Sequence, residues 1–267
     1  MPRSRPILLL KNSPLVHVLA QVRFSPVFSI DKAVPTIQES LKPLGFVRAA
    51  KRSIQHITIQ EAKPPQVEAV ERWEFLDAKK TVAVLLTRDF VALQTNRYST
   101  FEQFSDQLGR IVEVVKRIAG VEFAERLGLR YVDLVRPGDK ETASDYLVCG
   151  LTGYPFRNVE EIEPSTISFS SQSTAVTTAG VLSVRCHQAV GQILPADLVP
   201  LALDYSWTVP PSETVTILDF DHYSEKTRPF EVAALVETMW QLHDLIGIVF
   251  QNAVTDLALQ RWGLEKK

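Results

Sequence analysis

The 267-residue chain is 45% hydrophobic and 22% charged, which is an ordinary globular composition with enough length to bury a core. The formal charge is −2 and the pI is near 6.2. The protein therefore has no overall positive charge that would attract it to nucleic acid or to an anionic membrane. Two cysteines, Cys149 and Cys186, cannot form a disulfide framework and fit a reducing compartment. The apolar run 7–10 is shorter than the roughly 7 to 15 residues of a signal peptide. No segment approaches the roughly 20 apolar residues of a membrane span, so we predict a soluble, cytoplasmic protein.

Residues 1–120 alternate between strand and helix patterns. Period-two alternation predicts a strand over 15–25, and Ser29 caps a predicted helix that ends near Pro43 and Gly45. Short polar turns separate the next four runs, as antiparallel hairpins require. These predicted strands are 53–61, 68–77, 81–86 and 90–96. A capping box at 99–102 then predicts a helix to Ala119, which Gly120 ends.

Residues 121–267 repeat this order. A strand over 123–135 is followed by a predicted helix over 140–151 and by a loop that contains Gly153, Pro155 and Pro164. The sequence then predicts a long final helix from residue 228 to about 262, with proline in its first turn. This helix is apolar beyond one narrow stripe, which fits either burial or a dimer interface. The intervening strands are predicted at 166–173, 178–190, 201–209 and 214–223, with a hairpin turn at 177–180.

Each half is therefore predicted to contain, in order, a strand, a helix, four strands and a helix. This order predicts an α+β fold of two related halves, 1–120 and 121–267, with mostly antiparallel sheets and helices packed on one side. Residues 19–24 align with 126–131 at an offset of 107, which matches Arg23 with Arg130. The alternative is that two α+β segments share a common order by chance. The order resembles the saddle of the TATA-box-binding protein and helix-grip folds, but element order indicates architecture and not function.

The stretch 123–135 carries an unusual polar stripe on a predicted central strand. Together with Arg23, its arginines form a candidate site for phosphate, carboxylate or nucleic-acid backbone, because forked guanidinium donors grip such anions. Glycine in the stripe would let a ligand approach the backbone closely. By alternation, Leu127, Leu129, Tyr131 and Val135 share one face, and Arg126, Gly128 and Arg130 share the other. The alternative is internal ion pairing with Glu71, Glu74, Asp133, Asp219 or Asp221.

The other reactive residues do not form a recognised metal or catalytic pattern. Asp219 and Asp221 share a strand face and His222 points away, whereas zinc needs three or four convergent ligands. We therefore favour the interpretation that these two aspartates pair with arginines. Cys186 and His187 are adjacent on a strand and cannot pair as nucleophile and base. Neither a phosphate-binding glycine loop nor a Gly-x-Ser-x-Gly elbow is present in the sequence. We predict no metal and no cofactor.

Several segments resemble a sporadically distributed bacterial family of uncharacterised proteins of about this length. They are PLVHVLAQVRF at 14–24, RWEF at 72–75, YSTF at 98–101, ERLGLRYVD at 125–133 and LDFD at 218–221. The likeness covers nearly the whole chain, and RLGLRY is its most specific part. The family offers no established activity to carry over, and its patchy occurrence implies an accessory system such as phage defence or toxin control.

Three functions follow as hypotheses. The first is a non-enzymatic binding or regulatory protein that recognises a protein partner, a second copy of itself or a small anionic ligand. The second is a saddle-type nucleic-acid binder, in which Arg23, Arg126 and Arg130 would line an exposed positive groove. The third is an enzyme of unfamiliar type that uses Asp219, Asp221 and Arg130.

Overall fold

The computed structural model describes residues 10–58, 66–154, 168–199, 202–205 and 209–264. The protein is α+β, with one large antiparallel sheet and helices packed against it. The strands are β1 (Leu15–Phe24), β2 (Arg48–Thr58), β3 (Gln66–Leu76), β4 (Val82–Leu86), β5 (Phe90–Thr95), β6 (Phe123–Val135), β7 (Ser170–Val176), β8 (Val181–Val190), β9 (Thr214–Ser224) and β10 (Arg228–Pro229). The α-helices are α1 (Ile30–Leu41), α2 (Phe101–Ala119), α3 (Ala143–Tyr146), α4 (Val232–Ala253) and α5 (Asp256–Arg261).

The first strands of the two predicted halves form the centre of the sheet. The strand order is β2-β3-β4-β5-β1-β6-β9-β8-β7, and the short β10 also pairs with β6. In the central pair Leu19 lies opposite Arg130, Gln21 opposite Gly128, and Arg23 opposite Arg126. One sheet therefore runs through both predicted halves, and the domain boundary at residue 120 stays a prediction.

The helices cover the first face of the sheet. Alternation sends the apolar residues of β1 and β6 to this face, where α2 and α4 bury their own apolar stripes against them. Fully burying each large aliphatic side chain stabilises the fold by roughly 1.5–3 kcal/mol. The central residues of this core are Val18, Ala20, Val22, Leu127, Leu129, Leu108, Ile111, Met239 and Leu242.

The second face is partly covered by residues 193–199 and 202–205, which we call the covering segment. Near one end, Leu194 and Leu198 pack with Val132 and Ile217 in a small apolar cluster on β6 and β9. Farther along, Ala202 and Leu203 pack on β3, β4 and β5 in a third cluster. The segment thus lies across the strands, and between it and the sheet a cavity remains.

Most predicted elements of the first half are present within a few residues. Strand β2 begins at Arg48, five residues before its predicted start, and α1 continues into a 3-10 turn. The α2 cap is Thr100, whose hydroxyl accepts a hydrogen bond from the Gln103 amide, and not Ser99 as the capping box predicted. Glu61, the predicted end of β2, lies outside the described residues.

The second half departs further from prediction. The helix predicted over 140–151 is wrong, because only the turn α3 and a 3-10 turn at Cys149–Leu151 form there. The strand predicted over 201–209 is wrong for residues 202–205 and 209, and its remainder lies outside the described residues. Pro229 belongs to β10 and not to the final helix, which ends at Ala253 before α5 begins. Among the described residues the second half has three strands between α3 and β10, not four.

We predict that Gly180→Ala breaks the β7–β8 hairpin. Gly180 has a φ of +156°, and an added Cβ would lie 2.0 Å from the Tyr223 carbonyl oxygen. The backbone must move, so we expect a loss of about 3 kcal/mol in the free energy of unfolding, measured by urea denaturation. Gly150→Ala is the control, because a Cβ there meets nothing within 4 Å. Equal stability of the two variants would contradict the prediction.

Candidate functional site

A cavity of about 440 Å³ lies between the second sheet face and the covering segment. Its floor crosses the sheet from β2 to β9, and Asp197, Leu198 and Val199 of the covering segment form part of its roof. The polar lining consists of Gln21, Arg72, Thr87, Gln94, Arg126, Arg130, Asp197 and Asp221, and the apolar lining of Leu19, Ile54, Val70, Leu85, Phe90, Ala92, Leu198 and Val199. The predicted Arg126, Gly128 and Arg130 all reach this cavity.

Arg130 is closed by two carboxylates. Its Nε and Nη2 donate to Asp219 at 2.8 Å each, and its Nη1 and Nη2 donate to Asp197 at 2.6 and 3.0 Å. Four of the five guanidinium N–H groups are thus used. Burial alone would lower the pKa of Arg130, but hydrogen bonds and charges of Asp219 and Asp197 raise it above its ordinary value. Arg130 therefore belongs to a structural ion-pair network, and one of its N–H groups is left for an incoming anion.

The same network fixes the covering segment to the sheet. Asp219 is 1% exposed and also lies 3.0 Å from the Nε of Arg185, although that N–H is not aimed for a hydrogen bond. Asp197 sits in the 3-10 turn Ala196–Leu198 of the covering segment. Partial burial would raise the pKa of Asp197, but its hydrogen bond to Arg130 lowers it below the usual range. The bridge from Asp197 to Arg130 therefore holds the roof of the cavity.

Arg126 is bound much more loosely. Its Nη1 donates to Gln21 Oε1 at 3.2 Å, its Nη2 lies 3.9 Å from Asp221, and its guanidinium carbon lies 4.2 Å from the centre of the Tyr223 ring. Among the described residues, one of its five N–H groups has a hydrogen-bond acceptor. Arg126 therefore keeps N–H groups that can bind a ligand in the cavity.

Gly128 provides the space into which the Arg126 side chain folds. A Cβ at Gly128 would lie 3.1 Å from the Nη1 of Arg126, and no positive φ requires glycine there. The sequence predicted that this glycine admits a ligand close to the backbone. In the structure the Arg126 guanidinium occupies that space, so the glycine sets the arginine's position.

Asp221 is the second incompletely paired charge in the cavity. It lies opposite Arg130 on β9, but Arg130 turns to Asp219 and leaves Asp221 with the long contact to Arg126. Burial raises the pKa of Asp221 despite the lowering effects of Arg126, Arg130 and Arg185. The Asp221 side chain is 24% exposed, so its oxygens can accept from a ligand.

Arg23 does not join the cavity. It lies opposite Arg126 on the central strand pair, yet its side chain is 48% exposed and its Nη2 lies 3.7 Å from Asp89. The candidate site predicted from Arg23, Arg126 and Arg130 is thus divided into an exposed, a loosely paired and a closed arginine.

The carboxylates proposed as arginine partners also separate. Asp219 and Asp221 lie beside Arg130 and Arg126 as that reading requires, whereas Glu71 pairs with Lys51 at 2.6 Å. Glu74 is shared by Arg52 and Arg72 on the neighbouring strands β2 and β3. Asp197 was missed, because it lies in a turn with no periodicity that would relate it to a strand.

The other sequence candidates serve structural roles. His222 faces the core, where its Nδ1 contacts the Leu242 carbonyl oxygen at 3.0 Å and its Nε2 the Thr177 hydroxyl at 2.9 Å. Within the described ranges, no group of three histidine, cysteine or carboxylate side chains could hold a metal ion. Burial raises the pKa of Cys186 to about 12, and this thiol packs in the first-face core.

No protein-family model matches the chain, and no curated protein is similar to it. The geometry of the cavity therefore carries the functional argument.

Two buried groups near the arginine network have displaced pKa values of opposite direction. Burial, with a smaller effect of Arg130, lowers the pKa of His17 to about 3, and its Nδ1 lies 2.7 Å from the Tyr205 hydroxyl. Burial, with a smaller effect of Asp219, raises the pKa of Asp133 to about 8. The folded protein thus keeps both side chains neutral over the range in which the unfolded chain would charge them.

We predict that His17→Gln changes the pH dependence of stability below pH 6.5. Between about pH 6.5 and 3 the unfolded chain protonates His17 and the folded protein does not, so the wild type loses up to about 1.4 kcal/mol per pH unit from this residue. Relative to the wild type, the variant should gain stability as pH falls through this window in urea denaturation. Asp133→Asn should instead gain as pH rises from about 4 to 8. A pH-independent offset for either variant would contradict its expectation.

We predict that Asp197→Asn loosens the covering segment without unfolding the sheet. The substitution keeps the shape but removes the charge that holds Arg130, and half-exposure of Asp197 limits the loss to about 1 kcal/mol. Backbone amides of residues 196–199 should exchange faster with deuterium, while those of β1 and β6 keep their protection. Asp89→Asn, which touches only exposed Arg23 among these arginines, is the control. Unchanged exchange at 196–199 would contradict the role of the bridge.

Proposed function

We propose that the protein is a non-enzymatic binding or regulatory protein that recognises a small anionic ligand in the cavity of the second sheet face. One observation carries the proposal. Arg126 lies in a cavity with one hydrogen bond to a described residue, while Arg130, four residues along the same strand, is closed by carboxylates. A partly buried guanidinium with spare N–H groups is a site for a carboxylate or phosphate oxygen.

The dimensions and lining of the cavity support a small organic ligand. Its volume of about 440 Å³ lies within the roughly 300–1,000 Å³ of ligand sites. Leu85, Phe90 and Ala92 form an apolar floor, and Leu198 and Val199 lie in the roof. Such a lining binds the body of a ligand by burial, and a few polar groups orient it.

A binding role also agrees with the pairing of the residues proposed for catalysis. Arg130 donates two hydrogen bonds to the Asp219 carboxylate, and Asp221 has Arg126 as its neighbour. A general acid or base needs a group directed toward the reacting atoms. Arg130 and Asp219 are directed toward each other, which favours binding over catalysis.

The sequence resemblance supplies the proposed context. We propose that the protein belongs to the sporadically distributed bacterial family that shares the RLGLRYVD motif, and that it acts in the cytoplasm. Its accessory system would be of the phage-defence or toxin-control type. Ligand binding would then regulate a protein partner or association between two copies of this chain.

We further propose that the halves arose by duplication of one β-α-β4-α unit with the saddle order. Residues 21 and 128 are related by the offset of 107, and they lie directly opposite each other in the central pair. Residue 19 pairs with residue 130, and residue 23 pairs with residue 126. The same offset relates residue 19 to residue 126 and residue 23 to residue 130. A local two-fold axis between Gln21 and Gly128 would produce this register, and the strand orders β5-β4-β3 and β9-β8-β7 on either side agree with it.

Nucleic-acid binding remains the second candidate, because arginines are concentrated on this face. By alternation and register the second face of the described strands carries Arg23, Arg48, Arg52, Arg72, Arg126, Arg130 and Arg185. The covering segment lies over part of this face and Arg130 is closed, which favours the small ligand. Binding of DNA or RNA that weakens steeply with salt would favour this candidate instead.

We predict that Arg126→Gln weakens anion binding in the cavity. The probe is 3-phenylpropionate, a monoanion with an apolar body, titrated by calorimetry into the full chain. Loss of a charge-assisted bidentate contact should weaken binding about 10- to 100-fold.

Arg23→Gln is the matched control, because Arg23 lies opposite Arg126 on the sheet but outside the cavity. It should bind the probe as the wild type does. Equal weakening by both variants, or no binding of any carboxylate to the wild type, would overturn the proposed function.

A further inference from the structure

The cavity presents two opposite charges that are only loosely paired with each other. Arg126 Nη2 and Asp221 Oδ2 lie 3.9 Å apart, beyond hydrogen-bonding distance, and their side chains are 22% and 24% exposed. On the same strands Arg130 and Asp219 form two hydrogen bonds of 2.8 Å. Strands β6 and β9 thus place this closed pair and this open pair side by side.

The open pair matches a ligand that carries both charges. A ligand carboxylate can take two parallel N–H groups of Arg126, while an ammonium group can donate to the exposed oxygens of Asp221. A purely anionic ligand would gain the first contact but place its charge beside Asp221, which costs affinity. A ligand with both groups a few ångströms apart satisfies the pair without leaving either charge unpaired in the cavity.

The surroundings of the pair indicate the rest of this ligand. Gln21, which already orients Arg126, lies directly opposite Ala92 on β5. From there the cavity continues over Leu85 and Phe90, and Leu198 also lines it. A short apolar group attached beside the two charges would enter this part and lose its contact with water.

We infer that the ligand of the cavity is a free α-amino acid with an apolar side chain, its carboxylate on Arg126 and its ammonium on Asp221. This inference rests on the proposed function and specifies its ligand. The α-carboxylate and α-ammonium groups are attached to one carbon atom, which suits charges held 3.9 Å apart.

Three probes of one shape test the inference by calorimetric titration of the full chain at pH 7. They are L-phenylalanine, 3-phenylpropionate, which lacks the ammonium, and 2-phenylethylamine, which lacks the carboxylate. We expect L-phenylalanine to bind at least about 10-fold more tightly than either analogue, since each lost charge pair is a charge-assisted hydrogen bond.

Asp221→Asn separates this inference from the proposed function. The variant should bind L-phenylalanine and 3-phenylpropionate with similar affinity, whereas Arg126→Gln should weaken both. Asp89→Asn, which removes a carboxylate outside the cavity, should leave the wild-type preference intact.

The outcomes are distinct. If 3-phenylpropionate binds the wild type as tightly as L-phenylalanine, the inference falls and the anion site stands. If neither carboxylate binds, both fall. The comparison of probes on the wild-type protein decides between these results even where a variant fails to fold.

Discussion

The burial of Arg130 is the constraint on which the second face of the sheet depends. Arg130 is 6% exposed and its guanidinium stays charged, so carboxylates must reach it or the fold carries an uncompensated buried charge. Strand β9 supplies Asp219 from the neighbouring position of the sheet. The second carboxylate, Asp197, comes from the covering segment, and the path of that segment follows from this requirement. The roof of the cavity is thus a consequence of the way one arginine is neutralised.

The same register explains why two arginines of one strand differ. Arg126 and Arg130 share a face, but the turn that carries Asp197 reaches Arg130 and not Arg126. Arg126 instead folds back over Gly128 and lies on the Tyr223 ring, a position that any side chain at residue 128 would crowd. Its charge is stabilised by a ring face and an amide oxygen, both weaker than a bidentate carboxylate. One strand therefore holds a structural arginine and a ligand-binding candidate.

Sequence reasoning succeeded where periodicity was enforced by burial. The faces of β6 were predictable, because a shift by one residue would send Leu127, Leu129 and Tyr131 away from the core. The sequence of the covering segment has no such hydrophobic periodicity. Its residues contact strands from both halves and form no regular β-ladder among the described residues. Asp197 could therefore not be found from sequence, and neither could the closure of Arg130. The helix predicted over 140–151 does not form, because Leu147 pairs in an isolated β-bridge with Val254 and so has an extended backbone.

The two faces of the sheet divide stability from binding. The first face buries the large apolar core beneath α2 and α4, so a ligand on the second face need not disturb it. On the second face, smaller apolar clusters, the bridge from Asp197 to Arg130 and hydrogen bonds of Asp204 and Tyr205 hold the covering segment, and Asp197 is 56% exposed where it meets Arg130. Local opening favours the part of a fold with the least buried contact. The side chains of Arg126 and Asp221 are 22% and 24% exposed, so the proposed ligand can reach them while the strands that position the arginine keep their register.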